Sequence, residues 1–255
     1  MTTIYKSGDI EIQEGVINNV KYLRWGDPSW PLLVYKHGIG QVGKKPIDLM
    51  TQGPFARGFN FTLKIAEGFK YPDFFNEQIQ VIAPILNSGF WEPKYINDFL
   101  DNLGITNPMC LMGWSYGGGG TAKYLNQLIK KHNFSCGVML SMGNYDNPGV
   151  NVNCPVKLVH ATNDDTTPYQ NSDKFYAGVP EEFKKGYSKP ANGNHQAWES
   201  FLHPSTGIYE WMKSTIPAVV TPPVITYTPG QLQLGSDGNV YGDFNGNRIQ
   251  LSLPK

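Results

Sequence analysis

The chain is long enough for one large domain or two small ones, and it carries no charge bias. Its 255 residues include 21 basic and 21 acidic side chains, so the formal net charge at pH 7 is zero. A neutral chain has no electrostatic attraction for a phosphate backbone, which argues against nucleic acid as a partner. No apolar run reaches the roughly 18 residues that a membrane span needs, so no membrane partner is expected.

The beginning of the chain lacks the basic and then apolar pattern of a signal peptide. We therefore expect a cytoplasmic protein by default, or a secreted one if a leader has been removed. The three cysteines, Cys110, Cys136 and Cys154, form no CxxC or Cys/His cluster. We expect them to be small buried side chains, and the sequence predicts no metal site and no organic cofactor.

The first thirty residues predict an antiparallel hairpin. Apolar and polar side chains alternate over residues 9–13 and again over 20–25. The turn-forming pairs Glu14-Gly15 and Asn18-Asn19 lie between the two stretches.

Five apolar runs after this hairpin are typical of buried strands, and they cover residues 32–35, 79–83, 109–113, 137–142 and 156–161. Most are separated by segments of helical length, of which residues 94–103 and 116–131 carry apolar side chains at helical spacing. This alternation predicts an α/β fold with a mostly parallel central sheet and helices on both faces. Residues 41–71, rich in glycine and aromatic residues, predict a long loop with short helical pieces.

The composition changes near the end of the chain. We expect a main domain over residues 1–215, a proline-rich linker over 216–229 and a three-stranded β appendage over 230–255. Asp237-Gly238 and Asn245-Gly246 are hairpin signals within the appendage. So small a sheet is expected to dock on its own domain or on a neighbouring subunit.

The strongest functional motif is Gly113-Trp114-Ser115-Tyr116-Gly117. It follows an apolar strand and precedes a helix, which is the context of a nucleophile elbow. Ser115 is therefore the predicted nucleophile. The glycines on either side leave room where a strained turn crowds the neighbouring strand and helix.

A serine hydroxyl needs a base, and the base needs an acceptor that orients it. His195 is the predicted base, because it lies between a last strand and a last helix, where it could reach Ser115. After the run 156–161, Asp164 and Asp165 are both candidates for the acid, and Asp146 after the preceding strand is a third. The order serine, acid, histidine is that of the α/β-hydrolases.

The segment from His160 to Pro168 resembles the motif His-Gly-x-x-Asp-x-x-x-Pro of α/β-hydrolases such as carboxylesterases and dienelactone hydrolases, with Ala161 in place of the glycine. The resemblance implies Asp164 as the acid and leaves Asp165 to cap the helix beginning near Thr167. This resemblance extends over residues 32–211. Over these residues the chain also looks like predicted esterases related to the carbohydrate-esterase, polyhydroxybutyrate-depolymerase and prolyl-oligopeptidase branches. The C-terminal appendage is not part of that pattern.

The oxyanion of the reaction requires preorganised N–H donors. The N–H of Tyr116 is one predicted donor. His37-Gly38-Ile39-Gly40 resembles the His-Gly-x-Gly loop of the same family, which implies the N–H of Ile39 as the second. Trp91 and Trp114 are the predicted substrate-binding aromatics, with packing over the following helix as an alternative role for Trp91.

Only about a dozen residues separate the runs 137–142 and 156–161, so no cap domain is expected there and the cleft is expected to be open. The sequence thus predicts a serine esterase acting on small or polymeric esters. A serine peptidase or a thioesterase would use the same three residues. A non-catalytic binding or structural protein that retains the fold is the alternative from another class.

Overall fold

The fold was analysed in a computed structural model. The structure describes residues 1–7, 10–50, 53–55, 78–105, 108–216, 232–234, 240–244 and 247–251. The chain forms two compact units, Met1–Val219 and Val220–Lys255. All but the first residue of the predicted linker lie outside the described residues, so that linker stays a prediction.

The first unit is built on a nine-stranded sheet, with the strand order β1-β2-β3-β5-β4-β6-β7-β8-β9. In chain order its strands are β1 Thr2–Ser7, β2 Ile10–Ile17, β3 Val20–Trp25, β4 Leu32–Lys36, β5 Gln80–Pro84, β6 Met109–Trp114, β7 Phe134–Leu140, β8 Val156–Val159 and β9 Lys184–Ser188. Strands β1, β2, β3 and β5 pair in antiparallel fashion. All pairs from β5 through β4 to β9 are parallel, which confirms the predicted sheet.

The N-terminal hairpin is confirmed, with different limits. Its first strand continues through Glu14-Gly15 to Ile17. Asn18 and Asn19 form the turn with φ of 44° and 63°, the left-handed pair that suits a tight hairpin. Strand β1, which pairs with β2, was not predicted from the sequence.

The described helices are α1 Pro93–Leu103, α2 Tyr116–Leu125, α3 Gln170–Gly178, α4 Trp198–Phe201 and α5 Ile208–Thr215. Helix α1 begins with Pro93 and ends at Gly104, whose φ of 66° is the left-handed conformation of a helix C-cap. Its apolar side chains pack on the sheet: Ile96, Phe99 and Leu100 are buried, and Tyr95 and Leu103 pack against them partly buried.

Helix α2 is shorter than the predicted 116–131. It ends because Asn126 bonds the following loop, donating to the carbonyl of Pro148 and accepting from the N–H of Asn151. Leu128 and Ile129, predicted to face the core, are 83% and 84% exposed.

The central strands are apolar throughout because both faces of the sheet are covered. In β4, Leu33 and Tyr35 belong to the core layer that contains Trp198 of α4 and Ile208, Tyr209 and Met212 of α5. Leu32 and Val34 alternate with them and belong to the layer beneath α1, α2 and α3. In this arrangement the carboxyl ends of the parallel strands lie at one edge of the sheet, which is where open α/β sheets bind their ligands.

Residues 141–155, all of them described, form only turns and bends between β7 and β8. No cap domain is inserted between these two strands, as predicted. In the predicted loop 41–71, the described residues form short 3-10 turns at Ile39–Gln41, Pro46–Met50 and Gly53–Phe55. The rest of that segment from residue 56 lies outside the described residues.

The second unit has three described strands, β10 Leu232–Leu234, β11 Val240–Phe244 and β12 Asn247–Leu251. They pair in sequence as an antiparallel meander, as predicted. Both predicted turns, Asp237-Gly238 and Asn245-Gly246, lie outside the described residues. Within the described parts of the chain, no helix has the length and apolar character needed to cross a membrane.

Candidate active site

Ser115 lies between the end of β6 and the start of α2 in a strained backbone conformation. Its φ of 55° and ψ of −117° are unusual for a residue with a side chain, and such strain requires firm support from the surroundings. Its N–H donates to the carbonyl of Leu140 at 2.8 Å, and its carbonyl accepts from the N–H groups of Gly119 and Gly143. Ser115 thus has the geometry of a nucleophile elbow.

The glycines of the motif allow this turn to form against its neighbours. A Cβ atom on Gly113 would overlap the carbonyl of Gly117, and one on Gly117 would overlap the carbonyl oxygen of Lys36 at the end of β4. The second Cβ would also lie 2.7 Å from the carbonyl oxygen of His37. Helix α2 can therefore begin directly against β4 only if residue 117 lacks a side chain.

The structure brings His195 and Asp164 together. His195 follows β9 in the short 3-10 turn Asn194–Gln196, and Asp164 follows β8. Nδ1 of His195 lies 2.8 Å from Oδ2 of Asp164, whose side chain is fully buried. Because an ionised carboxylate only accepts, Nδ1 carries the hydrogen and Nε2 of His195 is left as the basic nitrogen.

Asp164 is held in its ionised form by hydrogen bonds. Burial alone would raise its pKa, but hydrogen bonds from the N–H of Thr167, from His195 and from the N–H of Thr166 outweigh burial and lower it. The two backbone N–H groups donate to Oδ1 at 2.8 and 2.9 Å. The carboxylate therefore keeps a negative charge beside His195 at neutral pH.

The other two acid candidates do not contact His195. Asp146 is 73% exposed and lies 4.0 Å from Lys174. Asp165 accepts hydrogen bonds from Asn194 Nδ2 and Thr166 Oγ1, so its predicted role as a helix cap is wrong. Through Asn194 it connects the loop after β8 to the turn that carries His195.

His195 lies beside the elbow. Its carbonyl accepts from the indole N–H of Trp114 at 3.3 Å, and the two rings are 5.5 Å apart. Oγ1 of Thr167 lies 3.4 Å from Nδ1 of His195. Thr167 also packs against Gly143, where an added Cβ would lie 2.9 Å from it. Gly143 in turn donates its N–H to the carbonyl of Ser115. No hydrogen bond joins Ser115 Oγ to His195, although the structure describes both residues; such bonds often tighten only with substrate.

Both predicted oxyanion donors lie at the starts of helical turns next to Ser115. Tyr116 is the first residue of α2, and Ile39 is the first residue of a 3-10 turn, so neither N–H has an intrahelical acceptor. No other acceptor for them occurs among the described residues. A Cβ on Gly38 would lie 3.5 Å from Cβ of Ser115, so the loop that carries Ile39 packs against the elbow.

His37 supports that loop from within. Its Nε2 accepts from the N–H of Leu86 at 3.0 Å, so its Nδ1 carries the hydrogen and donates to the carbonyl of Gly38 at 2.7 Å. Burial is the main cause that lowers the pKa of His37 from 6.5 to about 4. The neutral ring is therefore part of the folded structure.

Because the ring of His37 is neutral in the folded protein, we expect the free energy of unfolding to fall in acid. As the pH falls below 6.5, the unfolded chain binds a proton at residue 37 before the folded chain does, so the folded state is penalised progressively down to pH 4. The group accounts for about 3 kcal/mol over this range. We expect the difference in unfolding free energy between the native protein and His37→Gln to shrink by that amount between pH 7 and pH 4 in urea titrations. A difference independent of pH would contradict the assignment.

Trp91 is not a substrate platform, and that prediction is wrong. Its side chain is fully buried, its indole N–H donates to the carbonyl of His37, and its ring packs against His37 and Tyr95. A Cβ on Gly120 would overlap Trp91, so a glycine of helix α2 makes room for the indole. The alternative of packing over the helix that follows is the arrangement observed.

Trp114 does line an open groove of about 750 Å³ beside His195. The described lining consists mostly of polar side chains and contains no lysine or arginine; its residues are Trp114, Asp165, Thr166, Gly193, Asn194, His195, Gln196, Ala197, Glu199 and Ser200. Substrate binding by Trp114 stays a prediction, which its position in this lining favours.

Two residues near the acid were not expected from the sequence. Thr167 Oγ1 lies 3.1 Å from Oδ2 of Asp164, and His160 Nε2 lies 3.0 Å from the same oxygen. The only signal in the sequence was the position of His160 in the family motif. The motif does not reveal that its ring contacts Asp164.

Comparisons with known proteins give the class of fold. No family model and no curated protein matches the chain. Among solved structures, a thermostable esterase is similar with a TM-score of 0.56 and 17% identity, over 80% of this chain and 62% of that one. A predicted CIB-like hydrolase from Thermoplasma acidophilum has a TM-score of 0.54 and 15% identity, over 80% of this chain and 99% of that one.

An acylaminoacyl peptidase from Pyrococcus horikoshii is also similar, with a TM-score of 0.56 and 12% identity, over 82% of this chain and 42% of that one. The chain thus spans less than two thirds of the esterase and of the peptidase. These similarities, with the sheet order and the elbow, show that the protein has the α/β-hydrolase fold.

Proposed function

We propose that the protein is a serine hydrolase that cleaves carboxylic esters through an acyl-enzyme intermediate. The observation that carries the proposal is the strained Ser115 elbow beside His195, which is paired with the buried carboxylate of Asp164 at the carboxyl edge of the parallel strands. A tight glycine turn with an incidental serine would not require a histidine and an ionised carboxylate next to it.

In the first half-reaction, Nε2 of His195 takes the proton of the Ser115 hydroxyl while Oγ attacks the ester carbonyl. The N–H groups of Tyr116 and Ile39 stabilise the negative oxygen that forms. His195 then gives the proton to the leaving alcohol oxygen as its bond to carbon breaks. In the second half-reaction, His195 activates a water molecule that attacks the acyl-enzyme and releases the acid.

The groove favours uncharged esters. Its described lining includes the carboxylate of Asp165 and no lysine or arginine, so an anionic substrate would meet repulsion there. The open shape is compatible with a bulky alcohol or acyl group.

A fluorophosphonate probe tests the nucleophile. We expect the probe to label Ser115, located by peptide mass spectrometry, and His195→Ala to slow the labelling strongly because the base is lost. Ser200→Ala is the matched control, since Ser200 lines the groove beside His195 but donates to the carbonyl of Ala197, and labelling should continue at the native rate. Labelling at another residue, or labelling indifferent to His195→Ala, would refute the proposal.

A substrate panel tests the ester preference. Short and long p-nitrophenyl esters and feruloyl esters are expected to be hydrolysed, and peptide anilides and thioesters much more slowly. Turnover of anilides or thioesters alone would make the protein a peptidase or a thioesterase with the same three residues.

A further inference from the structure

We propose that His160 is a positioning residue that donates a further side-chain hydrogen bond to Asp164, besides those from His195 and Thr167, and fixes the direction in which its carboxylate faces His195. The inference rests on the proposed function, because Asp164 is the acid of the proposed triad. It assigns a role to a buried histidine that the reaction itself does not use.

The contacts of His160 allow one tautomer. Its Nε2 lies 3.0 Å from Oδ2 of Asp164 and 3.2 Å from the carbonyl oxygen of Thr167. Both oxygens only accept hydrogen bonds, so Nε2 must carry a hydrogen. On the other side of the ring, Nδ1 lies 2.8 Å from Oγ of Ser172, which donates to it when the ring is neutral. His160 therefore connects Ser172 on one side of its ring to the carbonyl of Thr167 and to Oδ2 of Asp164 on the other.

These contacts of His160 are sealed from solvent. The side chains of His160 and Asp164 are both fully buried, and Ser172 is 1% exposed. Burial is the main cause that lowers the pKa of His160, against the opposing effect of the Asp164 charge. In the absence of competing water, the neutral ring can hold the carboxylate in one orientation.

The charged groups around His160 come from several elements. Asp164, in the loop after β8, and His195, after β9, act on it directly. The acidic residues Asp165 and Glu199 line the groove on the side of His195. On α3, Asp173 next to Ser172 is paired with Lys189 at 2.8 Å. These groups also contribute to the pH dependence that is measured when His160 is replaced.

His160 has two effects on the proposed reaction. Nδ1 of His195 lies 2.8 Å and Nε2 of His160 lies 3.0 Å from Oδ2 of Asp164, so the two rings together limit rotation of the carboxylate when His195 becomes charged. The hydrogen bond from His160 also neutralises part of the carboxylate charge, which moderates how strongly Asp164 stabilises the charged His195. Without His160, the orientation of the Asp164 carboxylate is less fixed, and more of its negative charge acts on His195.

Replacement of His160 by leucine is expected to lower kcat about 10- to 100-fold, the loss that corresponds to one hydrogen bond to an ionised group. KM should stay within about twofold, because the His160 side chain does not reach the groove. The acidic limb of the kcat/KM profile should move to higher pH, and His160→Gln, which keeps an N–H donor, should recover most of the activity. His132→Gln is the matched control, a buried histidine 3.2 Å from Asp101, and should leave all three readouts unchanged.

A folded His160→Leu with native kcat and pH profile would overturn the proposal, as would a His160→Gln variant as impaired as His160→Leu. Should His160→Leu fail to fold, Ser172→Ala provides the second variant. It removes the donor to Nδ1 and should shift kcat and the acidic limb in the same direction by less; no shift would overturn the proposal.

Nitrogen NMR on the native protein with ¹⁵N-labelled histidine provides a readout that does not depend on activity. Ring signals of His160, assigned with His160→Gln, should show a neutral ring protonated at Nε2 at pH 7 to pH 8, since burial lowers the pKa of His160 below its usual value. A ring protonated at Nδ1 or at both nitrogens would overturn the inference. An inactive protein with the expected ring signals would count against the proposed hydrolase while leaving the contact to Asp164 intact.

Discussion

Replacing Asp164 by asparagine is expected to lower kcat toward a p-nitrophenyl ester by about 10⁴-fold, with the fold retained. An amide at this position can turn its NH₂ group toward Nδ1 of His195. The ring would then carry its hydrogen on Nε2, the nitrogen that must accept the proton of Ser115. Steady-state rates measured beside circular dichroism spectra of both proteins check this expectation.

The two neighbouring candidates for the acid provide the controls. Asp146→Asn should be as active as the native protein, because Asp146 is exposed and contacts Lys174 rather than His195. Asp165→Asn should lose no more than about tenfold, since it weakens the hydrogen bonds that Asp165 accepts from Thr166 and from Asn194, of which the second supports the His195 turn. If Asp165→Asn were the more damaging substitution, the roles of the two acids would have to be exchanged.

Replacing Gly117 by alanine is expected to destabilise the protein by about 3–5 kcal/mol, a large effect for a single methyl group. The added Cβ would overlap the carbonyl oxygen of Lys36 and lie 2.7 Å from that of His37. Both obstacles are backbone atoms, one at the end of β4 and one in the residue that follows it, so relief requires α2 to move away from β4. That movement would also displace Ser115 and the N–H of Tyr116.

Thermal and urea unfolding measure this effect, and we expect Tm to fall by about 10 °C or more. Gly104→Ala is the matched control, because Gly104 also lies at a helix end but has no atom within 4 Å of its added Cβ. Its φ of 66° disfavours alanine by about 1 kcal/mol. Equal destabilisation by the two substitutions would show that overlap with β4 does not determine the effect.

Strands β4 to β8 of the sheet could be predicted from the sequence because they are buried between layers on both faces. Such strands read as continuous apolar runs, and five of these runs correspond to β4 through β8. Strand β1 was missed because it pairs only at the edge of the sheet, where burial imposes no such run.

Residues that depend on a distant partner were predicted less well. Trp91 was predicted to bind substrate, with packing over a helix as the alternative, and the packing is observed because Gly120 of α2 lacks a side chain where Trp91 lies. Leu128 and Ile129 continue the apolar spacing of α2, yet Asn126 ends the helix by bonding the loop at Pro148 and Asn151. Local periodicity contains no information on these contacts between segments that are remote in sequence.

The sequence by itself determined the elbow and the chain order of Ser115, Asp164 and His195, because a strand, a glycine-flanked serine and a helix are local features. Only the tertiary structure decided which groups surround Asp164. Its partners His160, Thr167 and His195 meet at one carboxylate because β8 and β9 are parallel neighbours that end at the same edge of the sheet. Burial there removes water, so the hydrogen bonds of these side chains determine where the protons lie.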